Sequence, residues 1–195
     1  ESKGCKLLEK ILDRKVEEVL DPTFLLSIEE WEKISKTTLE KDEKYMICYF
    51  LGDVKNNIKN AERTAKLLGL KPYYIYTYDS RIKKNLNYLY DVGPSEFLGL
   101  IRNAQFVCTD SFHGSVFSII FNKQFFSFTK RKDKGVSDNN RIYELLKLFN
   151  LNNRYISQEK IVKNSDISKI DYKNVNSILN NRKIQSEEFL EKCLK

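Results

Sequence analysis

The residues with the most chemical capacity fall together at Thr109-Asp110-Ser111-Phe112-His113-Gly114-Ser115, a stretch that holds the only histidine of the chain. An imidazole can carry charge, donate a hydrogen bond or move a proton near neutral pH. Gly114 and Ser115 are small enough to let a ligand approach the backbone. Asp110 and Ser111 form a turn and helix-capping pair. The chemistry these types suggest is anion binding. Structural readings stand beside it: Ser111 as a plain N-cap, Gly114 as a packing glycine, His113 as a satisfied structural group.

What must position this stretch is legible on both sides of it. Phe106-Val107-Cys108-Thr109 is a short β-branched and aromatic run, typical of a strand. Val116-Phe117-Ser118-Ile119-Ile120-Phe121 is apolar nearly all round, as an enclosed helix would be. The spacing predicts a strand at 106–109, a helix at 112–122 and a strand at 124–128. A strand feeding directly into a helix puts the helix's free N–H groups and positive dipole end at the carboxyl edge of a sheet, where they favour an anion.

Elsewhere the chain alternates in the same way. A helical pattern begins near residue 1 and ends near Arg14. Residues 16–20 form a strand candidate, and Ser27-Ile28-Glu29-Glu30 is a capping box that opens a helix carrying Trp31. Residues 45–51 read as a strand buried on both faces. A helix over 56–68 ends at Gly69, and a strand follows at 71–77. Residues 78–89 read as loop. Gly93 and Pro94 open a helix to about Asn103, with Glu96 in its first turn. After a basic loop at 130–134, Asn139-Asn140-Arg141 opens another helix. Short pieces, with a helix near Glu159, lead to a weakly amphipathic helix over 174–194.

The sum is an α/β fold, a Rossmann-like parallel sheet with helices on both faces. Ligands of such sheets bind outside the carboxyl ends of the strands. Gly93, Glu96 and residues 110–115 all fall on that edge.

Composition narrows the function classes. The 195 residues are 41% hydrophobic and 12% aromatic, enough for a packed core. Net charge is +7, from 34 Lys+Arg against 27 Asp+Glu. The lysines are scattered and no nucleic-acid motif accompanies them, so the basic surface reads as a solvated face. Cys5, Cys48, Cys108 and Cys193 lie far apart, and with one histidine they make no zinc set. No apolar run is long enough to span a membrane. The chain reads as cytoplasmic and reduced, with no metal.

Gly93-Pro94-Ser95-Glu96-Phe97-Leu98, Val107-Cys108-Thr109-Asp110-Ser111-Phe112-His113-Gly114 and Phe117-Ser118-Ile119-Ile120-Phe121 together resemble the polysaccharide pyruvyl transferase family. Leu20-Asp21-Pro22-Thr23 with Trp31, and Asn140-Arg141-Ile142, extend the resemblance over about residues 1–155. The family forms a pyruvate ketal on a sugar of a cell-surface polysaccharide, taking the pyruvyl group from phosphoenolpyruvate and releasing phosphate. The resemblance implies the carboxyl-terminal half of a GT-B-type two-domain transferase. Residues 1–171 would be the Rossmann-like domain and 172–195 a helical extension, with an N-terminal partner domain outside this chain. The isolated chain is then expected to bind donor weakly and turn over little. The acceptor would be a saccharide, lipid-linked in some settings, with the protein peripheral at the inner membrane face. No cofactor is implied, because phosphoenolpyruvate is the donor substrate.

On this reading His113 is the acid or anion clamp, assisted by Ser111, Gly114 and Ser115. Asp110 is a cap, an orienter of His113 or a base. Glu96 meets a sugar hydroxyl or merely suits its helix dipole, Gly93 opens the edge, and Arg141 is a phosphate partner or a surface arginine. Two other readings remain: a GT-B glycosyltransferase domain using a nucleotide sugar, and a non-catalytic basic module that docks polyanions.

Overall fold

A computed structural model describes residues 2–40, 43–52, 55–77, 86–129, 139–157 and 159–195. Its centre is a six-stranded parallel sheet in the order β3-β2-β1-β4-β5-β6, the strand order of a Rossmann fold. The strands are β1 (Tyr45–Tyr49), β2 (Lys71–Ile75), β3 (Tyr88–Leu89), β4 (Phe106–Thr109), β5 (Gln124–Phe128) and β6 (Tyr155–Ile156). The helices are α1 (Ser2–Leu12), α2 (Ile28–Ile34), α3 (Lys55–Leu68), α4 (Pro94–Asn103), α5 (Phe112–Ile120), α6 (Asn139–Leu148) and α7 (Tyr172–Leu194).

The continuous apolar runs of the central strands follow from burial on both faces, since alternate side chains point to opposite sides. Ile47, Val107 and Phe125 face a core shared with α4, α5, α6 and α7. Met46, Cys48, Phe106, Cys108, Phe126 and Phe128 face a second core built with α3. Cys48 and Cys108 are buried free thiols. The second core is closed by the segment after β6: Asn60 on α3 accepts from Val162 N–H and donates to the Lys160 carbonyl, and Arg63 donates to the Val162 carbonyl.

Several local signals hold. Ser27 and Glu30 form the reciprocal capping box of α2. Gly69 has φ +63° at the end of α3, and Gly93 is the N-cap of α4, with Pro94 in the first turn. Trp31 is half-buried, its ring edge-on to Phe117 at 5.0 Å. Helix α7 joins the first core through Val175, Ile178 and Leu179.

Four expectations need correction. Residues 16–20 are not a strand. They are extended, but their backbone meets side chains, with Val16 N–H on Glu9 and Leu20 N–H on Ser186, so no ladder forms. Glu159 lies in a turn, and the helical turn of that region is Asn164–Asp166, where Asp166 accepts from Lys163 N–H. Strands β3 and β6 sit where no strand was predicted, each only two residues long and defined by pairing to β2 and β5. Helix α5 ends at Ile120, because Asn122 adopts φ +53° and leaves the helix. The expected loop at 78–85 and the basic cluster at 130–134 lie outside the described residues.

Candidate functional site

The sheet has its topological switch point between β1 and β4. The two strands are neighbours, with Cys48 opposite Cys108 and Tyr49 opposite Thr109, yet α3 follows β1 onto one face and α5 follows β4 onto the other. Helices that diverge in this way leave a crevice at the carboxyl edge.

Asp110 closes the floor of that crevice. It is fully buried, and its carboxylate accepts from Leu51 N–H at 2.6 Å and Gly52 N–H at 3.1 Å, with Asn57 Nδ2 at 3.5 Å. Thr109 pins the same two strands, donating from Oγ1 to the Tyr49 carbonyl at 2.7 Å and accepting from Ser111 N–H at 3.0 Å. Burial, reinforced by the Asp110 carboxylate, raises the Tyr49 phenol above its ordinary pKa. Of the three readings of Asp110, the cap of α5 belongs instead to Ser111, whose Oγ accepts from Gly114 N–H at 3.3 Å.

The small residues of the motif face inward. A Cβ on Gly114 would lie 2.4 Å from Thr109 Oγ1, so glycine is what lets α5 approach β4. Ser115 N–H bonds the Ser111 carbonyl, and its hydroxyl meets that same carbonyl at 3.0 Å and Ser127 Oγ at 2.7 Å. The amides of Gly114 and Ser115 are therefore engaged within the fold. The N–H groups that take no partner among the described residues are those of Phe112 and His113, the first two positions of α5.

His113 stands at the rim, its side chain 53% exposed, with Nε2 3.9 Å from Asp21 Oδ2. Asp21 is the cap of the turn Pro22–Phe24: its Oδ1 accepts from Thr23 N–H at 3.1 Å and from Thr23 Oγ1 at 2.6 Å. Arg141, from α6, lies over the Phe112 ring at 4.3 Å, a cation–π contact. The fold thus gathers Asp21, Phe112, His113 and Arg141 from three separate parts of the chain.

Gly93 and Glu96 reach the same edge by another route. Glu96 pairs with Lys36 at 3.4 Å, and its own first-turn amide, with Lys36 and Gly93 adding, holds the carboxyl below the ordinary glutamate range. Among the described residues no hydrogen bond, ion pair or ring contact joins Gly93 or Glu96 to His113. The connection runs through Phe97, which packs edge-on against Tyr49 at 5.0 Å and Phe117 at 6.1 Å. No group of three or more His, Cys, Asp or Glu among the described residues is placed to hold a metal ion.

Sequence reasoning named Asp21 only as part of a turn and a family motif and did not see Phe112 as a platform for Arg141. The signal for the first was present, because an Asp-Pro-Thr cap fixes its own carboxylate. Which loop that carboxylate would face is a tertiary fact.

Fold and edge define a Rossmann-like α/β domain with a crevice at its switch point. The sequence profile of the polysaccharide pyruvyl transferase family matches residues 1–130, and the chain belongs to that family. No curated protein sequence matches the chain. Among solved structures it is similar to the UDP-GlcNAc 2-epimerase from Methanocaldococcus jannaschii, at 11% identity and a TM-score of 0.40, over 78% of this chain and 41% of that one. The chain thus spans less than half the length of that protein. No helix among the described residues is long and apolar enough to cross a membrane.

Proposed function

We propose that this chain supplies the donor-binding edge of a transferase that moves the pyruvyl group of phosphoenolpyruvate onto two hydroxyls of a saccharide as a ketal. The observation that carries the reading is the convergence of three anion-binding features at one rim. They are the two amides at the start of α5 that take no partner among the described residues, the half-exposed imidazole of His113, and the Arg141 guanidinium stacked on Phe112. Phosphoenolpyruvate carries a carboxylate and a phosphate, and helix N-termini and guanidinium groups suit both.

In this reading His113 clamps the donor and, when protonated, delivers a proton to its methylene carbon. Asp110 acts as a strut, since both its oxygens are engaged by the β1 loop. Ser111, Gly114 and Ser115 shape the helix end rather than touch the donor. Gly93 and Glu96 border the edge, where Glu96 stays ionised at neutral pH and can accept from a sugar hydroxyl. The acceptor is a saccharide of a cell-surface polysaccharide, lipid-linked at the inner membrane face, and a second domain supplies the opposite wall of the cleft. No cofactor enters.

The test is titration of the full-length protein with phosphoenolpyruvate, followed on the imidazole resonances of the lone histidine, with phosphate release measured in parallel. Replacing His113 with Ala should weaken donor affinity about 10- to 100-fold, the range of a hydrogen bond to a charged group. Unchanged affinity and turnover would refute the assignment. Saturable binding of a UDP-sugar in place of phosphoenolpyruvate would favour the glycosyltransferase reading. Salt-steep binding of polyanions that ignores His113→Ala would favour the basic module.

A further inference from the structure

We propose that the groove between residues 18–24 and helix α6 is the acceptor-sugar subsite, and that Asp21 is the base that takes the acceptor's hydroxyl proton. This rests on the phosphoenolpyruvate reading above and adds to it the second substrate's place and the second catalytic group.

The groove has a volume of about 410 Å³, inside the range of roughly 300–1,000 Å³ common to small-molecule sites. Its floor is apolar, with Leu20, Phe24 and Leu145 almost wholly buried beneath it. Its polar lining is Glu18, Asp21, Glu144 and Lys147, with Glu18 paired to Arg182 at 3.6 Å. That lining, three carboxylates against one lysine, suits an anion such as phosphoenolpyruvate less well than a neutral ligand. It suits a sugar, whose hydroxyls donate to carboxylates and whose C–H face packs on apolar surface. Phe112 forms one wall, and Arg141 is stacked on the same ring. The sugar groove and the anion rim therefore share a boundary, and reacting groups must meet at a boundary of this kind.

Asp21 stands on it. One carboxylate oxygen is fixed by the amide and hydroxyl of Thr23, and the other is turned toward His113 Nε2 at 3.9 Å. The side chain is 22% exposed and lines the groove. Asp110, the alternative carboxylate, is fully buried and bonded to the amides of Leu51 and Gly52.

The step balances without a redox partner. A proton adds to the donor's C3, and C2 becomes electrophilic. The first sugar oxygen bonds to C2 as its proton passes to Asp21 Oδ2. The C2–O bond to phosphate breaks, and a second hydroxyl of the same sugar bonds to C2 and loses its proton. Two hydroxyl protons are released: one is accounted for in the new methyl group, the other in the departing hydrogen phosphate.

The decisive variant is Asp21→Asn in the full-length protein, because an amide oxygen can still accept from Thr23. Phosphoenolpyruvate should still bind saturably, read on the His113 resonances. The kcat for phosphate release with p-nitrophenyl galactoside, glucoside or mannoside should fall about 10²- to 10⁴-fold, the range for a removed general base. Turnover within threefold of wild type would overturn the role of Asp21. A second variant, Leu148→Trp, fills the groove and should raise the acceptor KM at least tenfold while leaving donor affinity alone; an unchanged acceptor KM would overturn the subsite. Failure of the wild-type protein to bind phosphoenolpyruvate would count against the donor reading instead. The groove would then still be tested by saturation transfer to the same glycosides, which Leu148→Trp should abolish.

Discussion

Removing the Asp110 carboxylate should unfold the switch point before it affects any chemical step. The carboxylate is wholly buried and accepts two main-chain N–H groups of the β1 loop, at 2.6 and 3.1 Å. A hydrogen bond to a charged group contributes about 1.5–3 kcal/mol, and its loss leaves a shielded amide unpaired. With the two bonds partly coupled, Asp110→Ala should cost about 3–5 kcal/mol, a large fraction of the roughly 5–15 kcal/mol that hold an ordinary domain together. In a chain of 195 residues that lowers the thermal midpoint by roughly 6–20 °C. Asp110→Asn keeps one acceptor oxygen but sets an NH₂ against the other amide, so it should lose about half as much. The assay is thermal and urea unfolding together with amide exchange, in which the Leu51 and Gly52 protons should lose protection selectively. A variant that melts within 2 °C of wild type, keeps those protons protected and loses pyruvylation would refute the strut and place Asp110 in the chemistry.

Two further outcomes follow from the same geometry. Gly114→Ala puts a methyl 2.4 Å from Thr109 Oγ1 and should destabilise by about 1–3 kcal/mol, visible as a lower urea midpoint; an unchanged midpoint would mean that α5 does not depend on that close approach. Glu30 and Glu96 are held below their ordinary range chiefly by backbone amides, and Glu43 by the Tyr73 hydroxyl, with lysine charges helping in each case. Between the lowered folded value and the ordinary one, the unfolded chain binds more protons, so stability rises with pH through that window. The contribution is complete above about pH 5 and is lost as pH falls through the lowered values; Glu30→Gln should flatten part of that limb, and a urea midpoint constant from pH 5 to pH 3 would refute the linkage.

The parts of this fold legible in the sequence are those whose signal is local. Residues 124–128 and 106–109 could be bounded because aromatic and β-branched runs stop at polar turns, and α4 because Gly93 and Pro94 mark its start. Strands β3 and β6 have two residues each, too short for any period, and exist because β2 and β5 offer them an edge. Residues 16–20 failed in the opposite sense. They are short and partly apolar like a strand, but the N–H groups of Val16 and Leu20 go to Glu9 and Ser186 side chains. Arg154 illustrates a third limit: only 1% exposed, it lies 6.0 Å from Phe126 and donates to Ser168, a burial that arginine's usual preference argues against. In the site, residues 109–115 were visible as a motif. Their inward or outward direction was set by how closely α5 meets β4.

The occupied β1 loop decides where an anion can bind on this sheet. In dinucleotide-binding Rossmann folds the pyrophosphate takes the amides of the first strand-to-helix turn. Here the amides of Leu51 and Gly52, at that turn, already hold the protein's own carboxylate from Asp110. A phosphate brought there would meet a buried negative charge in place of open N–H groups. At the start of α5 the first two amides take no partner among the described residues, and Arg141 lies close by on Phe112. Asp110 therefore does more than brace two strands. Its carboxylate occupies the two amides of the β1 loop, and the donor site of the proposed function lies across the switch point, at the rim of His113 and Arg141.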